Sequence, residues 1–399
     1  MKSLSGVKKK IIYLDQCLLS RMVKMLDPDF PESRKLQPSF DLGFVRAAFE
    51  KLHQLVKLQL IVCPESPFHR LESSILDPEK PAAFAQHKRV WELLSGRTSF
   101  HYWDSIRNAQ VIECADAWLG GASVSGINQI HAVTGRLHDW PKNKFNITLN
   151  WYPSVEEKEG NKNQGEHYRK KISSLYAGWL RDKPSFRTMY EKELRALGDS
   201  TRQLYIKVLG LRLKTNEGDP AAENEFFNLM MGSELRLLRE LRERFERHVD
   251  TKGDALSTAL IFLTSGEVSG CPYIQLSSLM YAEISQRVIG GNWRLDNDMP
   301  LNDVSAIAAY LPYCDAIFVD SQMHGLLKSK RVRGLSYCKA LVHSTDNKGE
   351  FIAYLDSILN EAPEEHLEIV KRLYGERWLE PYFDVLKHDK ARQAEDDEE

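Results

Sequence analysis

The sequence predicts an α/β fold with a parallel sheet at its centre, on three observations. Two short apolar runs end directly on an acid: IIYL runs into Asp15 and AIFV runs into Asp320. Strand-like and helix-like patterns alternate near the start of the chain and again near its end. The long stretch between is mainly helical in pattern. Alternation of this kind builds parallel strands joined by crossover helices, so the two chain ends are expected to form one sheet that the middle interrupts.

KKIIYLD is the first strand, because a short continuous apolar run bounded by charge suits a strand buried on both faces. DLGFVRAAFEKLHQLVKL is a helix, with Phe44, Ala47, Ala48, Leu52, Leu55 and Val56 at three- and four-residue spacings. LQLIVCP follows as the second strand and SPFHRLESSIL as the next helix. In the middle, SFRTMYEKELRAL and SELRLLRELRERFERHV are the clearest helices, and the latter sets Leu235, Leu238, Leu241, Phe245 and Val249 in one apolar stripe. Its five arginines alternate with four glutamates, the pattern of a salt-bridged surface helix rather than a nucleic-acid contact. Residues 140–166, WPKNKFNITLNWYPSVEEKEGNKNQGE, read as a loop or ribbon connection. The alternation then returns: LNDVSAIAAYL is a helix, DAIFVD a strand, SQMHGLLKSK a helix, KALVHST a strand and GEFIAYLDSIL a helix. This order divides the chain into 1–80 and 291–390 as two parts of one α/β domain, 81–290 as a helical insertion, and 391–399 as a solvated acidic tail.

With 399 residues, 42% of them apolar, the chain has the material for one large core or two ordinary ones. Its six cysteines include no CxxC pair, which argues against a zinc ribbon and gives no disulfide framework; a reducing cytoplasm fits this usage. The basic start, MKSLSGVKKK, leads into an apolar run too short for a signal peptide, and ALIFL at 259–263 is too short to cross a bilayer, so no membrane association is expected. A net charge of −2 excludes nucleic-acid binding by bulk attraction and leaves it to local patches. No GxxxxGK[ST] loop is present to cradle phosphates.

Parallel neighbours would bring Asp15 and Asp320 to the same sheet edge, the carboxyl ends of the strands, where open α/β sheets hold their ligands. Glu72 lies in the helix that leaves this edge after the second strand, and Asp303 opens the helix before the late strand. Two unit charges ~4 Å apart repel by about 4 kcal/mol at an effective dielectric of ~20. A divalent cation would remove that repulsion, and a ligand set of oxygens alone suits Mg²⁺ or Mn²⁺. Each acid also has an ordinary reading. Asp303 beside Asn302 suits a helix start, Glu72 suits an exposed helical position with Glu65 as its rival, and Asp315, preceding its strand, belongs at the opposite edge. Asp15 and Asp320 are the hardest to explain away, because an acid directly after a buried strand needs a reason to be tolerated.

These residues resemble the PIN-domain ribonucleases: LDQC after the first strand, SPFHRLE after the second, and NDVSAIAAYLPYCDAIFVDSQM near the end, with HSTDNKGEFIAYL matching the family's last strand and helix. The resemblance implies a three-layer parallel-sheet domain whose acids bind a catalytic Mg²⁺ or Mn²⁺, and it falls on Asp15, Glu72, Asp303 and Asp320. It covers the two chain ends. The chain departs from the family in having Cys17 where Asn or a small hydroxyl residue is common, and in its long middle region. A haloacid-dehalogenase-type phosphatase would need a second acid at position 17, and a Toprim-type nuclease an acid pair where VDSQ has one.

The expected activity is therefore metal-dependent hydrolysis of phosphodiester bonds, with RNA favoured over DNA by the resemblance; the alternative is an inactive scaffold of the same fold that binds nucleic acid or protein. Phosphate contacts are expected from Lys328, Lys330, Arg331 and Arg333 in KSKRVRG, and more weakly from His69 and Arg70, while His324 is read as covering the sheet. The inserted helices are where an oligomeric or protein partner would attach.

Overall fold

The computed structural model describes residues 8–26, 41–69, 81–95, 98–120, 132–134, 170, 172–248, 254–293, 301–375 and 378. Strand β1 (Lys10–Leu14) lies between β2 (Ile61–Val62) and β5 (Ala316–Phe318), and β6 (Leu341–His343) flanks β5 on its far side, giving the order β2-β1-β5-β6. Every pairing in this sheet is parallel. Register sets Tyr13 opposite Ile317 and Leu14 opposite Phe318, so the carboxyl ends of the two central strands coincide. The two chain ends do share one sheet.

Alternation along the strands divides the core in two. Ile12 and Leu14, with Ile61, Ala316 and Phe318, face helices α1 (Gln16–Leu26), α2 (Leu42–Lys57) and α3 (Pro81–Leu94). Helix α13 (Lys348–Asn360) joins that layer through Phe351, Leu355 and Ile358. On the other face, Ile11, Tyr13, Ile317 and Val319 pack with residues of α4 (Trp103–Leu119), α9 (Pro272–Ile289), α10 (Leu301–Tyr310) and α11 (Ser321–Leu327). Burial on both faces is why the strands read as continuous apolar runs. In α2 the buried stripe includes Val45 and Phe49 besides the residues read from spacing, whereas Ala47 is only half-buried. Asp41 caps this helix by accepting the Phe44 N–H at 2.9 Å.

The middle of the chain continues the second core layer outward. Helices α5 (Phe186–Asn216), α6 (Pro220–Met230), α7 (Ser233–His248) and α8 (Ala255–Thr264) stack beyond α9 and share its core. Helix α5 runs well past the end of SFRTMYEKELRAL, and its interior Gly198 explains how α8 comes so close: a Cβ there would sit 2.2 Å from the Leu263 carbonyl oxygen. In α7 the stripe Leu235, Leu238, Leu241 and Phe245 is buried together with Leu237, while Val249 lies outside the described residues. Three of its five arginines pair with acids: Arg236 with Asp104 at 3.8 Å, Arg242 with Glu246 at 2.7 Å, and Arg244 with Asp116. A short antiparallel ribbon, β3 (Ser99–Phe100) with β4 (Val133–Thr134), has no counterpart in the sequence reading. Residues 140–166 lie outside the described residues. Among the described residues no helix is long and apolar enough to cross a membrane.

Candidate functional site

Asp15 and Asp320 each stand between a strand and the helix that follows it. The Asp15 backbone N–H donates to the Phe318 carbonyl at 2.9 Å, which extends the β1–β5 ladder to the acid itself. Its own carbonyl accepts the Leu18 N–H at 3.1 Å and starts α1. Asp320 follows Val319, whose N–H donates to the His343 carbonyl at 2.9 Å. One carboxylate oxygen of Asp320 accepts the Met323 N–H at 2.8 Å and caps α11. An acid tolerated after a buried strand thus has a local reason at position 320, a helix N-terminus that needs an acceptor. The other oxygen of Asp320 is not committed to the cap.

The two acids feel each other. Burial pushes the Asp15 carboxyl above its ordinary value; a hydrogen bond with the Cys17 side chain opposes the rise, and the Asp320 charge adds to it. Burial likewise holds the Cys17 thiol well above its ordinary value, with the Asp15 charge second, so the thiol stays protonated at neutral pH and is the donor of this pair. A carboxylate under these influences is stabilised by any cation that arrives.

Asp303 lies in the first turn of α10, partly exposed. Glu72 and Arg70 fall outside the described residues. Among the described residues no three His, Cys, Asp or Glu side chains are grouped to hold a metal ion, so Asp15, Asp303 and Asp320 do not by themselves complete a cage. Glu65 serves through its backbone, which bridges to Ser99 and binds Thr98 and Phe100. Asp315 sits at the opposite edge, where its side chain accepts the Ile11 N–H at 2.8 Å.

His69 is not a surface cation. It is buried between Tyr13, stacked at 5.6 Å, and Trp91, at 6.1 Å, and burial lowers its pKa to about 3. A neutral, enclosed ring offers nothing to a phosphate. The KSKRVRG segment is also divided. Ser329 caps a short helix, α12 (Lys330–Arg333), and Arg331 turns toward the inserted helices, 2.9 Å from Glu283 and over the Phe186 ring at 3.9 Å. Lys328, Lys330 and Arg333 remain exposed. Lys328 is the C-cap residue of α11, the helix that Asp320 opens.

A third strand end contributes groups that sequence reasoning missed. Beyond β6, Asp346 accepts the Ser321 hydroxyl at 2.8 Å, and His324 Nδ1 lies 3.8 Å from the same carboxylate. His324 is buried as expected of a residue covering the sheet, with His343 buried close by. The signal was present in HSTDN, but the acid comes three residues after the strand instead of directly after it. No protein-family model matches the chain, no curated protein matches it, and no solved structure matches it.

Proposed function

We propose that this protein is a metal-dependent nuclease of PIN-like type, hydrolysing phosphodiester bonds in RNA. The observation that carries the reading is the placement of Asp15 and Asp320 at the coincident carboxyl ends of adjacent central parallel strands, with the Asp320 charge acting on a half-buried Asp15. In this reading the two chain ends form the three-layer PIN-like unit and residues 81–290 are an insertion in it.

The donor set fits a hard cation. Asp15 and the uncommitted oxygen of Asp320 offer carboxylate oxygens, and Mg²⁺ needs only one or two carboxylates when water and substrate phosphate complete its shell. Glu72 and Asp303 are the further ligands proposed from the sequence. When bound, Mg²⁺ or Mn²⁺ would supply an activated water and charge stabilisation at the phosphate. The chain's own part is positional. The β1–β5 ladder fixes Asp15, the α11 cap fixes Asp320 in one rotamer, and the Cys17 thiol donates to Asp15 in the place where a hydroxyl or amide is common in the family. Lys328 supplies a cation for a phosphate along the same edge.

One observation favours the scaffold reading: Asp320 has a structural role as a cap. Cleavage separates the two. Single-stranded RNA incubated with the full chain should be cut in Mg²⁺ or Mn²⁺ and left intact in excess EDTA. Undiminished cutting in chelator would refute the metal mechanism, and no cutting of RNA or DNA with any divalent ion would establish the scaffold.

A further inference from the structure

The second half of helix α5 carries an apolar seam on its outer face. Ile206, Leu209 and Leu213 are 61%, 43% and 65% exposed, while Val208 and Leu211 on the other side of the same turns are buried. The exposed three follow a four- and three-residue spacing, so they form one stripe down the helix. Gly210 lies beside them, and a Cβ there would meet nothing within 4 Å. Basic residues predominate beside the stripe: Arg202, Lys207, Arg212 and Lys214 are exposed, and the acids nearest in sequence are Asp199 and the exposed Glu217. Lys207 reaches Glu225 of α6 at 2.6 Å and Arg202 lies 3.9 Å from Asp199, which leaves Arg212 and Lys214 flanking Leu213 without an ion pair among the described residues.

We propose that this face of α5 docks an amphipathic helix of a partner protein, with aliphatic residues along its seam and glutamate or aspartate on its flanks. The aliphatic seam needs an apolar counterpart, and the basic rim selects an acidic one. RNA fits poorly: nucleic acid would use the cations but leave three aliphatic side chains covered by nothing that favours them, and single-strand binding faces use aromatic platforms. A second copy fits poorly as well, because pairing the stripe with itself sets the uncompensated Arg212 and Lys214 against their own kind.

The test uses the full-length chain and three probes. The first is a synthetic helix-forming peptide of about four turns, with leucines at i, i+3 and i+7 and glutamates beside them. The second is its lysine-flanked counterpart, and the third is an unstructured RNA of about 15 nucleotides. Saturable binding of the glutamate peptide alone is expected, weakened about tenfold or more by Leu213→Glu and weakened with added salt. The pair Arg212→Glu and Lys214→Glu should reverse the preference toward the lysine peptide. These positions are exposed, so circular dichroism and RNA cleavage should match the parent chain. Failure of the glutamate peptide to bind would overturn the proposal, as would equal binding of both peptides or displacement by the RNA. A dimer in sedimentation that Leu213→Glu dissociates would replace it with self-association.

Discussion

The inserted helices and the sheet edge handle charge in opposite ways. Among the helices, acids and bases meet within the same layer: Arg236 with Asp104, Arg242 with Glu246, Arg244 with Asp116, Arg187 with Glu191. At the edge, Asp15 is half-buried with Asp320 beside it, and its carboxyl is pushed up instead of down. Neutralisation within the chain is what a stable surface needs; among the described residues Asp15 has no ion pair, and the proposed cation would supply one. The α5 seam is an intermediate case, where Lys207 is paired but Arg212 and Lys214 have no ion pair among the described residues.

The sharpest way to break this contrast is to remove one edge charge. Asp15→Asn should lower RNA cleavage by roughly a thousandfold, the scale of about 4 kcal/mol in the barrier. In the metal-free chain it should raise stability at neutral pH. The sign follows from the raised carboxyl: the folded chain holds that proton more tightly than the unfolded one, so wild-type stability falls as pH rises above about 4. The gain from Asn should therefore shrink to nothing toward that pH. Thermal unfolding of both chains from acid to neutral pH measures it.

Among the helices the largest effect is steric. Gly198→Ala drives a Cβ into the Leu263 carbonyl and should cost about 1–3 kcal/mol, read as a lower denaturant midpoint, with the Mn²⁺ response unchanged. The α11 cap comes next. Asp320→Ala should cost about 1 kcal/mol of stability, whereas Asp320→Asn, an equally good cap, should cost nothing, although both should remove cleavage. Equal loss of stability from the two would show that the carboxylate charge, and not the cap, holds α11. The smallest effect is expected at Arg244→Ala, within about 1 kcal/mol, because its pair with Asp116 is exposed.

What the sequence disclosed was set by how local the cause is. Strand β1 and helix α2 were legible because burial on both faces, or on one stripe, leaves a pattern within a few residues. The neighbouring of β1 and β5 was legible through the repeated strand-then-acid arrangement, although some 300 residues separate them. The length of α5 was not, since its outer face carries Ile206, Leu209 and Leu213 and blurs the alternation. The β3–β4 ribbon was not either, because two-residue strands have no period to read. At the candidate site, position alone put Asp15 and Asp320 at neighbouring strand ends, but the cap that Asp320 forms depends on where α11 begins. The burial of His69 depends on Trp91, a residue of a different element, and so the sequence offered a cation where the fold has a buried ring. Asp346 was missed because its link to Ser321 crosses from β6 to α11.

The central claim is that Asp15 and Asp320 meet to hold a hard cation, and Mn²⁺ binding tests it most directly. Titration calorimetry on the full chain should give saturable Mn²⁺ binding for the wild type and its loss in both Asp15→Asn and Asp320→Asn, with both variants unfolding at or above the wild-type temperature when metal is absent. Mn²⁺ binding that survives both substitutions, or a large fall in unfolding temperature in both, would contradict it and make these acids part of the framework.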